Sequence, residues 1–166
     1  MTQWRIEKIT EADIDGFRRA VDVVSREKKY LNFLEAPPIE GTRAYVLNNI
    51  KNNYPHFVVH ADGHVVGWCD VTPKTSRPTT THVGELGIGL LPLYRGQGIG
   101  RQLMETALRA AIARGMTRIQ LGVHADNVNA LRLYQSLGFE IEGLHVNSIM
   151  IDGAYKDDYT MALIVT

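Results

Sequence analysis

The chain has 166 residues, 45% of them hydrophobic and 22% charged, values of a folded globular protein and not of a disordered one. Eighteen Lys and Arg balance eighteen Asp and Glu, so no global field favours nucleic acid or an anionic membrane, although a local anion site stays open. Cys69 is the only cysteine, which excludes an intrachain disulfide and agrees with a reducing compartment.

The N-terminal stretch MTQWRIEKIT carries charges where a signal peptide needs an apolar segment. No apolar run approaches the roughly 20 residues that cross a bilayer as a helix. The reading is a cytoplasmic protein with no membrane partner. Domains mostly run to about 100–150 residues, so residues 1–166 read as one domain.

WRIEKI reads as a first strand. Thr10, with Asp13 three residues on, predicts a capped helix through EADIDGFRRAVDVVSREKK. Two prolines in LEAPPIEG break that pattern, and a second helix covers Thr42 to Lys51, burying Ala44, Val46, Leu47 and Ile50. HFVVHADGHVVGWCDV predicts a hairpin around Asp62-Gly63. TPKTSRPTT is a polar loop, and HVGELGIGL is the third strand of the meander. A long helix from Ile99 to Arg114 follows, stopped by Gly115. RIQLGV alternates as a strand with Ile119, Leu121 and Val123 on one face. NVNALRLYQSLG is a short helix ending at Gly138, and MALIV lies in the last strand. The order β-α-α-β-β-β-α-β-α-β-β predicts an α/β (α+β) fold: a mixed, mostly antiparallel sheet with helices on both faces.

The turn between strand and long helix, YRGQGIG, places Gly96, Gly98 and Gly100 at alternate positions. Such a turn at a helix start is an anion site, because unpaired N–H groups and the helix dipole face outward and glycine lets a phosphate approach. Arg95 and Arg101 add positive charge. From the residues alone, a tight turn with no ligand is an equal alternative. The spacing fails both G-x-x-x-x-G-K-[ST] and G-x-G-x-x-G, which excludes the two common nucleotide loops. In the preceding strand Leu86, Ile88 and Leu90 share one face; Val83, Glu85, Gly87 and Gly89 share the other. A strand face bare of side chains suggests a ligand or another backbone close to it.

YRGQGIG after one strand and NVNALRLYQSLGF after the next resemble the two motifs of the GNAT superfamily of N-acetyltransferases. The second motif, N-x-x-A-x-x-x-Y-x-x-x-G-F, is matched by Asn127, Ala130, Tyr134, Gly138 and Phe139. The resemblance implies acetyl-CoA as cosubstrate and no metal. Main-chain groups of Ile88, Gly89 and Leu90 would pair with the pantetheine arm. N–H groups of Gly96, Gln97, Gly98, Ile99, Gly100 and Arg101, beside Arg95, would hold the pyrophosphate, and Asn127 would bind further along the arm. The resemblance also makes a strand N–H near Leu90 the oxyanion donor and Tyr134 the proton donor to the departing thiolate. Without the motif, Tyr134 reads as core.

Glu85, ten positions before Arg95, matches the glutamate of phosphinothricin-type members and is the candidate base, with His82 as runner-up. EKKYLNFLEAPPIE sits where the family builds its acceptor pocket, so Tyr30, Phe33 and Leu34 either line it or pack helices together. Tyr155 and Asp158 resemble the closing hairpin of phosphinothricin-like and amino-acid-acetylating members. His60 and His64 read as a surface pair across their turn, Cys69 as a buried thiol and SREKK as a solvated helix end.

The leading function is transfer of acetyl from acetyl-CoA to a small primary amine, a free amino acid or an analogue. A protein or peptide N-terminal or lysine acetyltransferase is the alternative. A non-catalytic coenzyme A sensor and a nucleotide-binding module are readings of other classes. The resemblance allows a homodimer, although no interface is visible in the sequence.

Overall fold

The computed structural model describes residues 3–74 and 77–166. Its elements follow the predicted order: β1 (Trp4–Lys8), α1 (Ile14–Arg26), α2 (Ile39–Lys51), β2 (His56–Ala61), β3 (His64–Pro73), β4 (Val83–Leu90), α3 (Ile99–Ala113), β5 (Arg118–His124), α4 (Val128–Ser136), β6 (Glu140–Ile151) and β7 (Ala154–Ile164). In the loop TPKTSRPTT, Thr75 and Ser76 lie outside the described residues, and Pro78–Thr80 form a 3-10 turn.

The seven strands form one sheet in the order β1-β2-β3-β4-β5-β7-β6. Every neighbouring pair is antiparallel except β4 and β5, which are parallel and joined through α3. Local chemistry explains the turns. Asp62 and Gly63 both have positive φ (51° and 76°), the backbone a tight two-residue hairpin requires. Gly115 and Gly138 stop α3 and α4 in the left-handed region, where a side chain would be strained.

Two cores lie on opposite faces of the sheet. On one face α3 and α4 cover the strands, with Ile99, Leu103, Met104, Ala107 and Ala111 fully buried. On the other, α1 and α2 pack Phe17, Val24 and Val46 against Val58 and Trp68. Helices on both faces were predicted, and the reason is the strand pattern: Ile119, Leu121 and Val123 are buried as one row, which needs a covering layer.

Three local expectations are corrected. The first helix ends at Arg26, because Lys28 takes φ +57°. Lys28 then pairs with Asp152 at 3.0 Å, so the charge run ties the end of α1 to the β6–β7 turn. The second helix begins at Ile39, directly after Pro38, and buries Thr42, Val46 and Asn49. Ala44, Leu47 and Ile50 are exposed instead. The buried face joins Val46 to Asn49, whose amide donates to His56 Nδ1 at 3.1 Å. His60 and His64 do not face each other. His60 bonds Asp13 at 2.7 Å, and His64 lies 3.3 Å from Arg19.

The parity of β4 holds along its whole length, since the β3–β4 register runs from Pro73↔Gly84 to Gly67↔Leu90 without a shift. On its glycine-lined face the two glycines differ. A Cβ on Gly89 would fall 2.1 Å from the Trp68 ring, and one on Gly87 would fall 3.5 Å from Asp70 Oδ1. The Trp68 ring therefore fills the space at Gly89, while at Gly87 the Asp70 carboxylate is only in ordinary contact. Gly89→Ala therefore overpacks the Trp68 site and should lower stability by about 1–3 kcal/mol, read from the denaturation midpoint in urea.

Candidate active site

β4 and β5 pair only at Val83↔Arg118, Gly84↔Ile119 and Glu85↔Gln120. Beyond Glu85 the strands part, so residues 86–90 of β4 lose a neighbour on that side. Leu91 N–H bonds Val66 O on β3 at 2.8 Å. Strand alternation then turns the backbone groups of Ile88 and Leu90 away from β3, into the gap, and those of Gly89 toward β3. Arg95 Nε donates to Leu90 O at 2.9 Å, which leaves Leu90 N–H and both backbone groups of Ile88 facing the gap.

The gap opens into a cleft of about 580 Å³. Of the residues singled out in the sequence, Ile88, Gly89, Leu90, Arg95, Gly96, Gly98, Gly100, Arg101 and Asn127 line it. Gln97 and Ile99 lie off its wall. Gln97 donates to Leu93 O at 2.9 Å, and Ile99 is wholly buried under the sheet. Val24, Tyr30, Asn129, Ala130 and Leu133 complete the wall. Of these, Asn129, Ala130 and Leu133 share the motif helix with Asn127, so α4 periodicity could have found them. Tyr30 is one of the side chains expected at the acceptor pocket from its segment, whereas Val24 of α1 carries no local signal.

The glycine turn serves two separate needs. Gly96 and Gly98 have φ +74° and +81°, so a side-chain-bearing residue there would cost roughly 1–2 kcal/mol. Gly98 is the N-cap of α3, whose first-turn N–H groups lack intrahelical acceptors. Gly100 is different. It sits inside the helix without positive φ, and a Cβ there would meet only Leu133 at 3.8 Å. Nothing in the protein's own packing demands glycine at this point of the cleft wall, so the requirement fits an occupant whose phosphates approach the helix end closely.

Both arginines at the turn have protein partners. Arg95 makes a two-pronged ion pair with Glu27, at 2.8 and 2.6 Å, and stacks over Tyr30 at 4.6 Å. It thereby clamps the end of α1 onto the end of β4. Arg101 bonds Ser136 Oγ at 2.6 Å and Glu105 at 3.2 Å. Asn127 caps α4, accepting from Ala130 N at 3.3 Å. A smaller cleft of about 380 Å³ adjoins, lined by Lys29, Tyr30, Asp126, Asn127 and Lys156 among others. Tyr30 thus belongs to the clefts, whereas Phe33 and Leu34 are exposed.

Tyr134 is buried on the α3–α4 face, and burial pushes its phenol well up from the ordinary value. The group is protonated at neutral pH and can donate. Cys69 is fully buried, and burial raises its thiol too, so it is no nucleophile at neutral pH. Glu85 is exposed where the strands part, and Gln120 Nε2 donates to it at 3.3 Å. His82, six residues before Ile88, stands about 20 Å further down the strand and is exposed. Its carbonyl accepts from Thr117 N and Arg118 N. Tyr155 is exposed, and Asp158 accepts from Ser148 Oγ. Among the described residues no cluster of His, Cys, Asp and Glu could hold a metal ion, and no helix is long and apolar enough to cross a membrane.

A helix N-terminus cleared by glycine, at the mouth of a parted parallel strand pair, defines a protein that holds an extended phosphate-bearing cosubstrate. The sequence signature described as the Acetyltransferase (GNAT) family matches residues 21–139, and the chain belongs to that family. It is an acetyl-CoA-dependent N-acetyltransferase. It is 33% identical to the L-amino acid N-acetyltransferase AaaT of Escherichia coli over 93% of this chain and 95% of that one. It is 36% identical to the N-alpha-acetyltransferase RimI of Mycobacterium tuberculosis over 68% of each. Its fold matches a phosphinothricin acetyltransferase from Sinorhizobium meliloti, solved with AcCoA, with TM-score 0.90 and 20% identity over 98% and 88% of the two chains.

Gly100→Ala separates the cleft's needs from the fold's. Alanine is better than glycine inside a helix by roughly 0.5–1 kcal/mol, so Tm should hold or rise. Acetyl-CoA affinity should fall at least about tenfold, a change of roughly 1.4 kcal/mol, measured by isothermal titration calorimetry.

Proposed function

We propose that the protein transfers the acetyl group of acetyl-CoA to the primary amine of a small molecule, a free amino acid or an analogue. The observation that carries this reading is the likeness to an L-amino acid N-acetyltransferase over almost the whole of both chains. The exposed carboxylate of Glu85, at the point where β4 leaves β5, supports it, because a small ammonium can approach there. The same residues admit a protein N-terminal amine, and the likeness to RimI favours that second reading over about two thirds of the chain.

In this reading the N–H groups at the start of α3 hold the pyrophosphate. Ile88 and Leu90 present backbone groups to the pantetheine arm, and Leu90 N–H, free while its carbonyl is held by Arg95, stabilises the oxyanion. An amine with a lysine-like pKa near 10 is mostly protonated at pH 7. Glu85 draws that ammonium into the fork, where it must lose a proton before it attacks. Tyr134, kept protonated by burial, donates to the departing thiolate. Residues 1–166 act as one catalytic domain.

Free-thiol release from acetyl-CoA with amino acids, polyamines, aminoglycosides and peptides as acceptors tests this directly. Release with free amino acids is the expected result; release only with peptides would replace it by the second reading. Tyr134→Phe should keep acetyl-CoA affinity while kcat falls at least about tenfold, the low end of general-acid contributions being about a hundredfold. An unchanged kcat would remove Tyr134 from the chemistry.

A further inference from the structure

The α1/α2 face of the sheet carries a buried polar row that the residues discussed so far leave unused. His56 on β2, Asp70 on β3 and Gly87 on β4 are in direct register. Asp70 is buried, with 11% of its side chain still exposed. Tyr45 on α2 donates to its Oδ1 at 2.8 Å. His56 Nε2 stands 4.0 Å from its Oδ2. Asn49 Nδ2 donates to His56 Nδ1, which places the ring proton on Nε2. That N–H is fully buried, has no hydrogen-bond partner and has the Asp70 carboxylate 4.0 Å away, beyond hydrogen-bond distance. A buried donor left without an acceptor is costly, and here it lies beside the carboxylate that sits over Gly87 of β4.

We propose that Asp70 is the proton acceptor for the incoming amine, held by Tyr45 and backed by His56, with Glu85 as the outer carboxylate that guides the ammonium. The proposal rests on the amine-acetylating reading above. Gly87 carries no side chain, so one edge of Asp70 lies directly over β4, one residue before Ile88. Thr72 pairs with Glu85 and Asp70 with Gly87, so the two carboxylates are diagonal neighbours on one sheet face, within reach of one small ammonium.

The environment tunes Asp70 for the task. Burial pushes its carboxyl up to about 7, opposed by the Tyr45 hydrogen bond. His56, pushed down to about 4 by burial, is neutral and brings no charge. The other titratable groups around Asp70 are Tyr45 from α2, Glu85 from β4 and Cys69, its own neighbour on β3; α1 contributes the apolar ring of Phe17, stacked on His56 and Trp68. A base near the working pH combines availability with driving force.

The protons balance. The ammonium gives one proton to Asp70 and so to solvent. The free amine's lone pair forms the C–N bond as the carbonyl pair moves to oxygen, held by Leu90 N–H; the carbonyl then re-forms and the C–S bond breaks, its electron pair going to sulfur. The second N–H proton ends on the thiol through Tyr134.

The test is the pH dependence of thiol release for the wild type, Asp70→Asn, Tyr45→Phe and Glu85→Gln, with Tm measured across the same range. The wild-type rate should rise with pH through about 7, as the Asp70 carboxyl ionises. Asp70→Asn should lose that limb and at least about a hundredfold in kcat, the lower range for a positioned base. Its acetyl-CoA affinity should be unchanged. Its Tm at pH 8 should equal or exceed the wild type's, because between the ordinary carboxylate value and about 7 the folded protein retains a proton that the unfolded chain gives up, so the wild type loses stability as pH rises. Tyr45→Phe should move the limb to higher pH by removing a bond that favours the anion. Glu85→Gln should lower the plateau with the limb in place. An Asp70→Asn enzyme that keeps the limb, or that loses rate and Tm together, overturns the assignment. A wild type inactive toward every amine overturns the transfer reading, and this assignment with it.

Discussion

The separation of β4 from β5 after the Glu85↔Gln120 pair is the constraint on which the rest of the structure depends. Parallel strands joined through a helix normally stay paired, because an unpaired backbone group buried away from water is costly. Here β4 continues to Leu90 without its neighbour. Its freed groups become the lining of a cleft, and the helix that makes the crossover starts at that cleft's mouth. The same divergence produces an edge for an extended ligand arm and places an anion-accepting helix end beside it.

Holding such a strand open requires reinforcement from outside the sheet. Arg95 provides it by taking the Leu90 carbonyl with one nitrogen and Glu27 with two others. The arginine that reads as a phosphate ligand by motif is a strut by geometry, joining α1, β4 and Tyr30. His124 does similar work at the end of β5, bonding Lys29 O and Asn32 Oδ1 at 2.9 Å each. The segment after α1 is thereby fastened to both strands that flank the opening, so both walls of the cleft share one support.

The two faces of β4 divide the work. On the α3/α4 face, Leu86, Ile88 and Leu90 pack against the larger core. On the α1/α2 face, Trp68 and Asp70 lean over glycines that leave room for them. Glycine in a strand weakens it unless something approaches closely. In this sheet the close approach comes from the neighbouring strand's own side chains, an indole at one position and a carboxylate at the next alternate one.

The sequence by itself determined the element order, the hairpin at Asp62-Gly63, the stops at Gly115 and Gly138 and the tight turn at Gly96 and Gly98 into α3. Each depends on backbone conformations set within a few residues, and a run of amino acids records those directly. The parity of β4 was readable for the same reason. Tertiary structure alone decided which face of α2 is buried: Val46 goes into the core with Thr42 and Asn49, Asn49 bonding His56, and Leu47 and Ile50 stay exposed. It alone joined Glu27 to Arg95, brought Val24 to the cleft and chose Tyr30 over Phe33 and Leu34 for its wall, and set Asp70 among His56, Tyr45 and Gly87. These relations connect segments that meet only when the sheet assembles, and no local propensity encodes the distance between side chains on different strands.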